Sequence, residues 1–424
     1  MIILFNYLLI LHIFLGAFVI FDSPFEFYGG YIFIIIFMIM YILHYHNISI
    51  NSTFFNILIV LIIFSLVNVL HDNTSISLIA KQVLGILLTG TAYYLLIKIN
   101  KYNIDKLFII YLRIALIVAV VGIFQEFSYL IDFEQGYNYH SFLLNKWKFT
   151  PTEWGMLRLN SIFFEPSQYA TTMAPAFFVA LSSITGINTH YLNKYNSMLV
   201  ILSYILTFSS IAFIVIMVSI LIMFSNVRKN GFLSLAFIII FSFVFVGYSY
   251  IPEIGKRFDD TLWVATGSME MGTANLSTYA IASNAVVAYQ SFIDNILFGS
   301  GLGSHPISYD KFVLSSFGGD ISQGFGDEYI GVNKGDANSL LLRLASETGL
   351  FGVIAVLCFV IKYYLRKGYN SDLQVINNAI LTLFIVSLVR QGHYFLNGLF
   401  FFVWLYYFAY RIDKRTHWGR QYTI

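Results

Sequence analysis

Cys358 is the only cysteine in the chain. Its solitude excludes a disulfide framework and any cysteine-built metal centre, and its apolar surroundings make it read as a small buried hydrophobe. Charged residues occupy just 11% of 424 positions, with a formal net charge of +2, too little polarity for a soluble globular domain. Also missing are a Walker A loop, an H-E-x-x-H pair and a D-x-D pair of the kind that holds a metal-bound nucleotide sugar, so neither metal nor other cofactor is expected. GSGLGS, residues 299–304, is no dinucleotide fingerprint, because no strand precedes it and its third glycine is misplaced; it reads as a tight turn. The histidines are scattered, and His44 and His46 have no carboxylate near them in sequence. The first apolar run lacks a basic n-region and an A-x-A-like cleavage site, which makes it a first span rather than a removed signal.

What is present is apolar: 58% hydrophobic and 18% aromatic residues, with a mean hydropathy of +0.74. Windows of about 20 apolar residues cross the roughly 30 Å hydrocarbon layer as helices. Runs such as IFIIIFMIMYIL are continuously apolar, unlike the alternating strands of an outer-membrane barrel. The fold class expected is therefore an all-α polytopic membrane protein of about 12 transmembrane helices. The windows fall near 2–21, 31–45, 53–71, 77–98, 107–130, 165–185, 196–209, 210–226, 232–251, 349–366, 374–390 and 393–411, and 196–226 also reads as one long helix. With both termini cytoplasmic, the inner ends hold thirteen Lys and Arg against three Asp, while the other side holds ten basic against nineteen acidic residues, as the positive-inside rule requires. The chain then divides into spans 1–5 (1–130), an external loop (131–160), spans 6–9 (161–251), a large external loop with short helices (252–348), and spans 10–12 with a cytoplasmic tail (349–424). External connections this long are usually functional. Within the larger one, NLSTYAIASNAVVAYQSF reads as a helix packed on the membrane domain.

Ionisable groups in or at the mouth of spans are costly and are functional candidates by default. Lys81, Glu126, Arg158, Glu165, Arg343, Glu347, Arg390 and His393 all fall near the external side. Glu165 precedes Pro166, the signature of a helix start, and Glu165, Gln168 and Thr172 share one face above Pro175. The plain structural alternative is that Glu165 caps its helix and pairs with Arg158. Arg343 and Glu347 stand four apart, as in an ordinary helical ion pair.

RLNSIFFEPSQYA (158–170), NLSTYAIASNAVVAYQSFIDNILFGSGLGSHPISYDKF (275–312) and DANSLLLRLASETGLFG (336–352), in this order and on this hydropathy profile, resemble the O-antigen and capsule repeat-unit polymerase (Wzy) family within the O-antigen ligase and polymerase superfamily. Ligases of that superfamily carry a histidine directly before the asparagine of the last motif, where this chain has Ala337 before Asn338, and a Ser-Arg pair where it has Ser209 and Ser210. Both departures favour a polymerase.

The resemblance implies a metal-independent glycosyltransferase of the bacterial inner membrane. It would take undecaprenyl-diphosphate-linked glycan as donor and acceptor, alongside a chain-length regulator and a flippase, with no nucleic-acid partner. Such chemistry needs a cationic clamp for the departing diphosphate and a base for the attacking sugar hydroxyl. The expected clamp is Arg158, Arg343, Arg390 and Lys81; the expected base is Glu165, then Glu347 or Asp336. Gln168, Asn338, His305 and Tyr309 are the expected sugar contacts, with Trp147, Trp154, Trp263 and Tyr329 as further stacking surfaces. A ligase and a flippase or other transporter are the competing readings, although a transporter gathers its charges near the midplane.

Overall fold

The computed structural model describes residues 2–21, 26–46, 48–140, 142, 145–152, 155–188, 190–225, 252–266, 274–317, 329, 331–395 and 398–421. The chain is mostly helical. Its helices are α1 (Ile2–His12), α2 (Gly30–Tyr45), α3 (Ser52–Val69), α4 (Ile76–Ile99), α5 (Ile104–Leu130), α6 (Glu134–Tyr137), α7 (Pro166–Ile184), α8 (Lys194–Ile205), α9 (Ser210–Ser225), α10 (Pro252–Ala265), α11 (Leu276–Asp294), α12 (His305–Phe317), α13 (Leu340–Lys362), α14 (Ser371–Val389) and α15 (Leu399–Gln421). Among the described residues, α3, α4, α5, α13 and α14 are long and apolar enough to cross a membrane. α3 shows why water is the wrong solvent for this surface. Its Ile57, Ile63 and Val67 are 57%, 55% and 50% exposed, and a whole helix of such residues facing outward is tolerable only in hydrocarbon.

Most expected windows contain a helix, with informative differences. The 232–251 window lies outside the described residues. The first window ends early: α1 stops at His12, and Val19–Phe21 pairs antiparallel with Phe27–Tyr28 in a small hairpin. Residues 196–226 form two helices, not one, broken where Phe208 takes a left-handed backbone. Cys358, expected to be buried, is exposed on α13, where a thiol tolerates lipid as readily as a core.

The centre of the bundle is α7, packed against α8, α9 and α14, with α14 in turn against α13 and α15. Pro175 lies inside α7 and cannot donate to the helical ladder. Tyr111 and Tyr204 donate from α5 and α8 to the carbonyls of Thr172 and Ala170, each at 2.7 Å, which ties this part of α7 to its neighbours.

GSGLGS does more than turn. α13 breaks at Gly349, whose φ of 60° and ψ of −158° leave the helix. The carbonyls freed at Ser346 and Glu347 accept from Ser300 and Gly301 at 2.9 Å, and the amides of Leu350 and Phe351 donate to Ile296 and Leu297 at 2.8 and 3.0 Å. Gly299 (φ 66°) meets Gly349 with no room for a side chain on either. α11 is the helix expected in the large loop, and it packs on α12 and α13.

Candidate functional site

A polar cavity of about 470 Å³ gathers residues from distant parts of the chain. Lys81 of α4, Lys146, Lys334 and Arg390 face three carboxylates there: Glu26, Glu165 and Asp336. Tyr28, Gln168, Asn338 and His393 also line it.

Glu165 reaches the cavity because the segment before it is stapled to the end of α5. Ser161 donates from its backbone to Gln125 at 2.8 Å, Leu157 donates likewise to Glu126 at 3.2 Å, and the Ser161 hydroxyl donates to Val118 at 2.9 Å. Glu165 sits at the N-cap of α7 but makes no side-chain cap bond. Its carboxylate accepts from the Ser167 hydroxyl and faces Arg390 at 3.8 Å. Its cationic partner is thus Arg390 and not Arg158. Arg158 stays in the turn where its amide donates to Thr150 at 2.9 Å, and it does not line the cavity.

The opposite wall is built from strained backbone. Asn333, Ala337 and Asn338 have φ of 53°, 58° and 60°, and Gln391 has 112°. Non-glycine residues in such conformations each cost on the order of 1 to 3 kcal/mol and concentrate at functional sites. Here the strain is held by cross-bonds: Asn333 donates to Asn338 Oδ1 at 2.7 Å, Gln391 donates to the Asn338 carbonyl at 3.0 Å, and the Ser339 hydroxyl donates to Leu388 at 2.6 Å while capping α13. The result sets Asp336 Oδ2 3.4 Å from His393 Nε2. His393 lies between α14 and α15, because α15 begins only at Leu399. Burial holds its pKa below the ordinary imidazole value and Arg343 and Lys81 push the same way, against the opposing pull of Asp336 and Glu26.

Arg343 works from behind this wall. It is 1% exposed and absent from the cavity lining, donating from Nε to Glu347 at 2.9 Å and from Nη1 to the Gly392 carbonyl at 2.9 Å, with its guanidinium 4.4 Å from the Tyr394 ring. It therefore holds both neighbours of His393. The expected clamp role of Arg343 and base role of Glu347 do not match this burial, which keeps both groups from a substrate in the cavity. His305 is buried too, bonded to Ser346 Oγ and Asn284 Oδ1 at 3.0 Å each, and Tyr309 packs with Val287 and Val313. Trp147 is buried and donates to Ser161 at 2.9 Å, Trp263 is half exposed, and Tyr329 packs on Tyr279; none of them lines the cavity. Trp154 lies outside the described residues.

Glu26, Tyr28, Lys146 and Lys334 are cavity residues that the sequence reading missed. The hairpin brings in the first two. Burial opposes ionisation of Glu26, but hydrogen bonds from Lys146 and Tyr28 outweigh it and hold its carboxyl below the ordinary range. Lys334 is tethered to Asp310 at 2.6 Å. Lys81 has no hydrogen-bond partner among the described residues and lines the cavity, so it offers its donors to an incoming anion; Arg390 also lines the cavity, with Nη2 toward Glu165 and a buried Nη1 that has no partner among the described residues.

A second hollow, also about 470 Å³, adjoins the first and shares Glu26 and Lys81 with it. Its other walls are mainly apolar: Phe27, Tyr31, Ile34, Ile35, Leu84, Leu88 and Phe395, between α2 and α4. Among the described residues no group of three or more His, Cys, Asp or Glu has metal-binding geometry. No family model and no curated protein matches the chain.

Proposed function

We propose that the protein is a bacterial inner-membrane glycosyltransferase that polymerises undecaprenyl-diphosphate-linked repeat units into O-antigen, capsule or exopolysaccharide. In this reading both termini are cytoplasmic, about twelve helices cross the membrane, and the cavity opens on the outer face. The observation that carries it is the joint between the two hollows. A polar chamber lined by Lys81, Lys146, Lys334 and Arg390 meets an apolar groove at Lys81 and Glu26, which suits a molecule that is sugar and diphosphate at one end and isoprenoid at the other.

The chemistry follows from the lining. The acceptor sugar hydroxyl attacks the anomeric carbon of the donor, the new C–O bond forms as the bond to the phosphate oxygen breaks, and the electron pair leaves with the lipid diphosphate. Arg390 and Lys81 receive the developing charge, the arginine through its planar fork and the lysine as a point charge. The hydroxyl proton passes to His393, kept neutral at physiological pH and oriented by Asp336. Glu165, engaged by Arg390 and Ser167, orients the clamp. Arg343 and Glu347 position the histidine segment, and Gln168 and Asn338 are the sugar contacts.

Deletion of the gene, with the surface glycan run on a gel, tests the reaction. Loss of a polymerase leaves single repeat units attached. A glycan that is absent altogether indicates a ligase or a flippase instead, and an unchanged ladder refutes all three.

A further inference from the structure

At the far end of the bundle a different hollow, of about 480 Å³, is lined by Lys101, Arg411 and Arg415 together with Tyr94, Tyr102 and Tyr407, and by no acidic residue. Its distance from the polar cavity can be worked along one helix. Lys81 lines the cavity and Lys101 lines this pocket, and the intervening twenty residues, almost all in α4, rise about 30 Å at 1.5 Å each, the thickness of the hydrocarbon layer. The two polar hollows thus sit at opposite faces of the membrane.

Three features make the pocket a receptor for an anion. Arg411 and Arg415 are four apart on α15, so their side chains emerge on the same face, and neither has an acidic partner among the described residues; Arg411 instead lies 5.6 Å over the Tyr407 ring. Lys101 and Tyr102 are set by left-handed backbone, φ 55° and 60°, in the turn joining α4 to α5, strain that directs the lysine and the phenol into the same hollow. The N-terminus of α3 also abuts it at Asn51, adding the positive end of an 18-residue helix. The surrounding belt is aromatic, with Tyr94 against Trp404 and Tyr102 against Phe408, each at 5.0 Å, the composition of a headgroup-level girdle.

We propose that this pocket binds the phosphodiester of an anionic phospholipid in the adjacent leaflet, a site separate from the polar cavity and independent of what that cavity does. The aromatic girdle and the exposed apolar flanks of the helices favour a lipid over free phosphate, since the acyl chains stay in the bilayer while the headgroup enters the basic hollow. Arg411 and Arg415 supply forked donors to the phosphate oxygens, and Lys101 closes the cage as a point charge.

The test is a lipid titration of the purified full-length protein in detergent, read by native mass spectrometry. Phosphatidylglycerol should bind at least tenfold more tightly than phosphatidylcholine. The double substitution Arg411→Gln, Arg415→Gln should weaken it about 30-fold, taking five- to sixfold for each basic residue near an anionic headgroup. Lys101→Asn, which keeps a residue type at home in left-handed backbone, should cost about fivefold by the same reckoning. A control double substitution at Lys362 and Lys367, basic residues outside the pocket, should leave the affinity unchanged. Equal affinity for the two lipids overturns the proposal, as does full retention of binding in both pocket variants. Displacement of the lipid by millimolar inorganic phosphate overturns the choice of lipid as occupant.

Discussion

Glu347→Gln and Glu165→Gln remove one negative charge each from residues that look alike in sequence, yet their surroundings demand opposite outcomes. Glu347 is buried with Arg343, Nε to Oε1 at 2.9 Å, and the two side chains are 0% and 1% exposed. Glutamine there keeps an acceptor oxygen but leaves a buried guanidinium without its counter-charge, and breaking one partner of such a pair costs about 3 to 5 kcal/mol. That lowers the folded-to-unfolded ratio by two to nearly four orders of magnitude, on the order of 10² to 10⁴, and abundance falls with it. Glu165 is 34% exposed and 3.8 Å from Arg390, so the same change costs within about 1 kcal/mol. Both variants, produced in parallel, should be measured for membrane abundance and for thermal unfolding in detergent. Glu347→Gln should be scarce and unfold early; Glu165→Gln should match the parent in both. A Glu347→Gln protein as abundant and stable as the parent would refute the reasoning, because it would mean that the Arg343 charge is not sealed behind the cavity wall.

Other outcomes follow from the same geometry. The lowered pKa of His393 means that the unfolded chain takes up the proton first as pH falls through about 6.5, so stability should decline there by up to about 1.4 kcal/mol per pH unit, and His393→Gln should flatten that slope in a pH series of unfolding midpoints. The carboxyl of Glu26 is held low, so its own contribution is present above the ordinary carboxylate pKa and lost only at more acid pH; because the same carboxylate pulls the His393 pKa up, Glu26→Gln should keep the decline that begins near 6.5 and carry it further into acid. If His393 is the base, His393→Gln should lower turnover roughly 10² to 10⁴-fold at normal abundance, with a smaller loss for Glu165→Gln; the reverse order returns the base role to Glu165. Each cavity carboxylate already faces a cation, a histidine or a hydroxyl, so transfer should persist in excess chelator, and activity restored only by added magnesium or manganese would contradict this.

The membrane character was legible because hydrocarbon tolerates little else, and runs of apolar residues announce it with no knowledge of packing. Lys81, Glu165, Gln168 and Arg390 were legible for the same reason, since a polar group at the mouth of a span is conspicuous, whereas Asp336 and Asn338 were named only through the family resemblance of their motif. Proximity alone could not say which of them face a substrate. Arg343 and Arg390 look equivalent in the chain, but contacts with Glu347, Gly392 and Tyr394 hold the first behind the cavity wall, while the end of α14 presents the second. Glu26 and Tyr28 were invisible because the first apolar window runs past His12 into a hairpin, and apolar residues in a short strand score like those in a span. His393 stood among the conspicuous residues, but its contact with Asp336 spans 57 positions and depends on left-handed backbone at Ala337 and Asn338, which no spacing rule reports.

The central claim is that the polar cavity transfers glycan from a lipid diphosphate. The direct measurement is incubation of the purified protein with lipid-diphosphate-linked repeat units, with product length followed on a gel and released lipid diphosphate quantified. A ladder of lengthening products is expected, with one lipid diphosphate freed per bond, abolished at normal protein abundance by Arg390→Ala and by His393→Gln. Absence of any ladder with the parent protein, or a ladder undiminished in both variants, would contradict it.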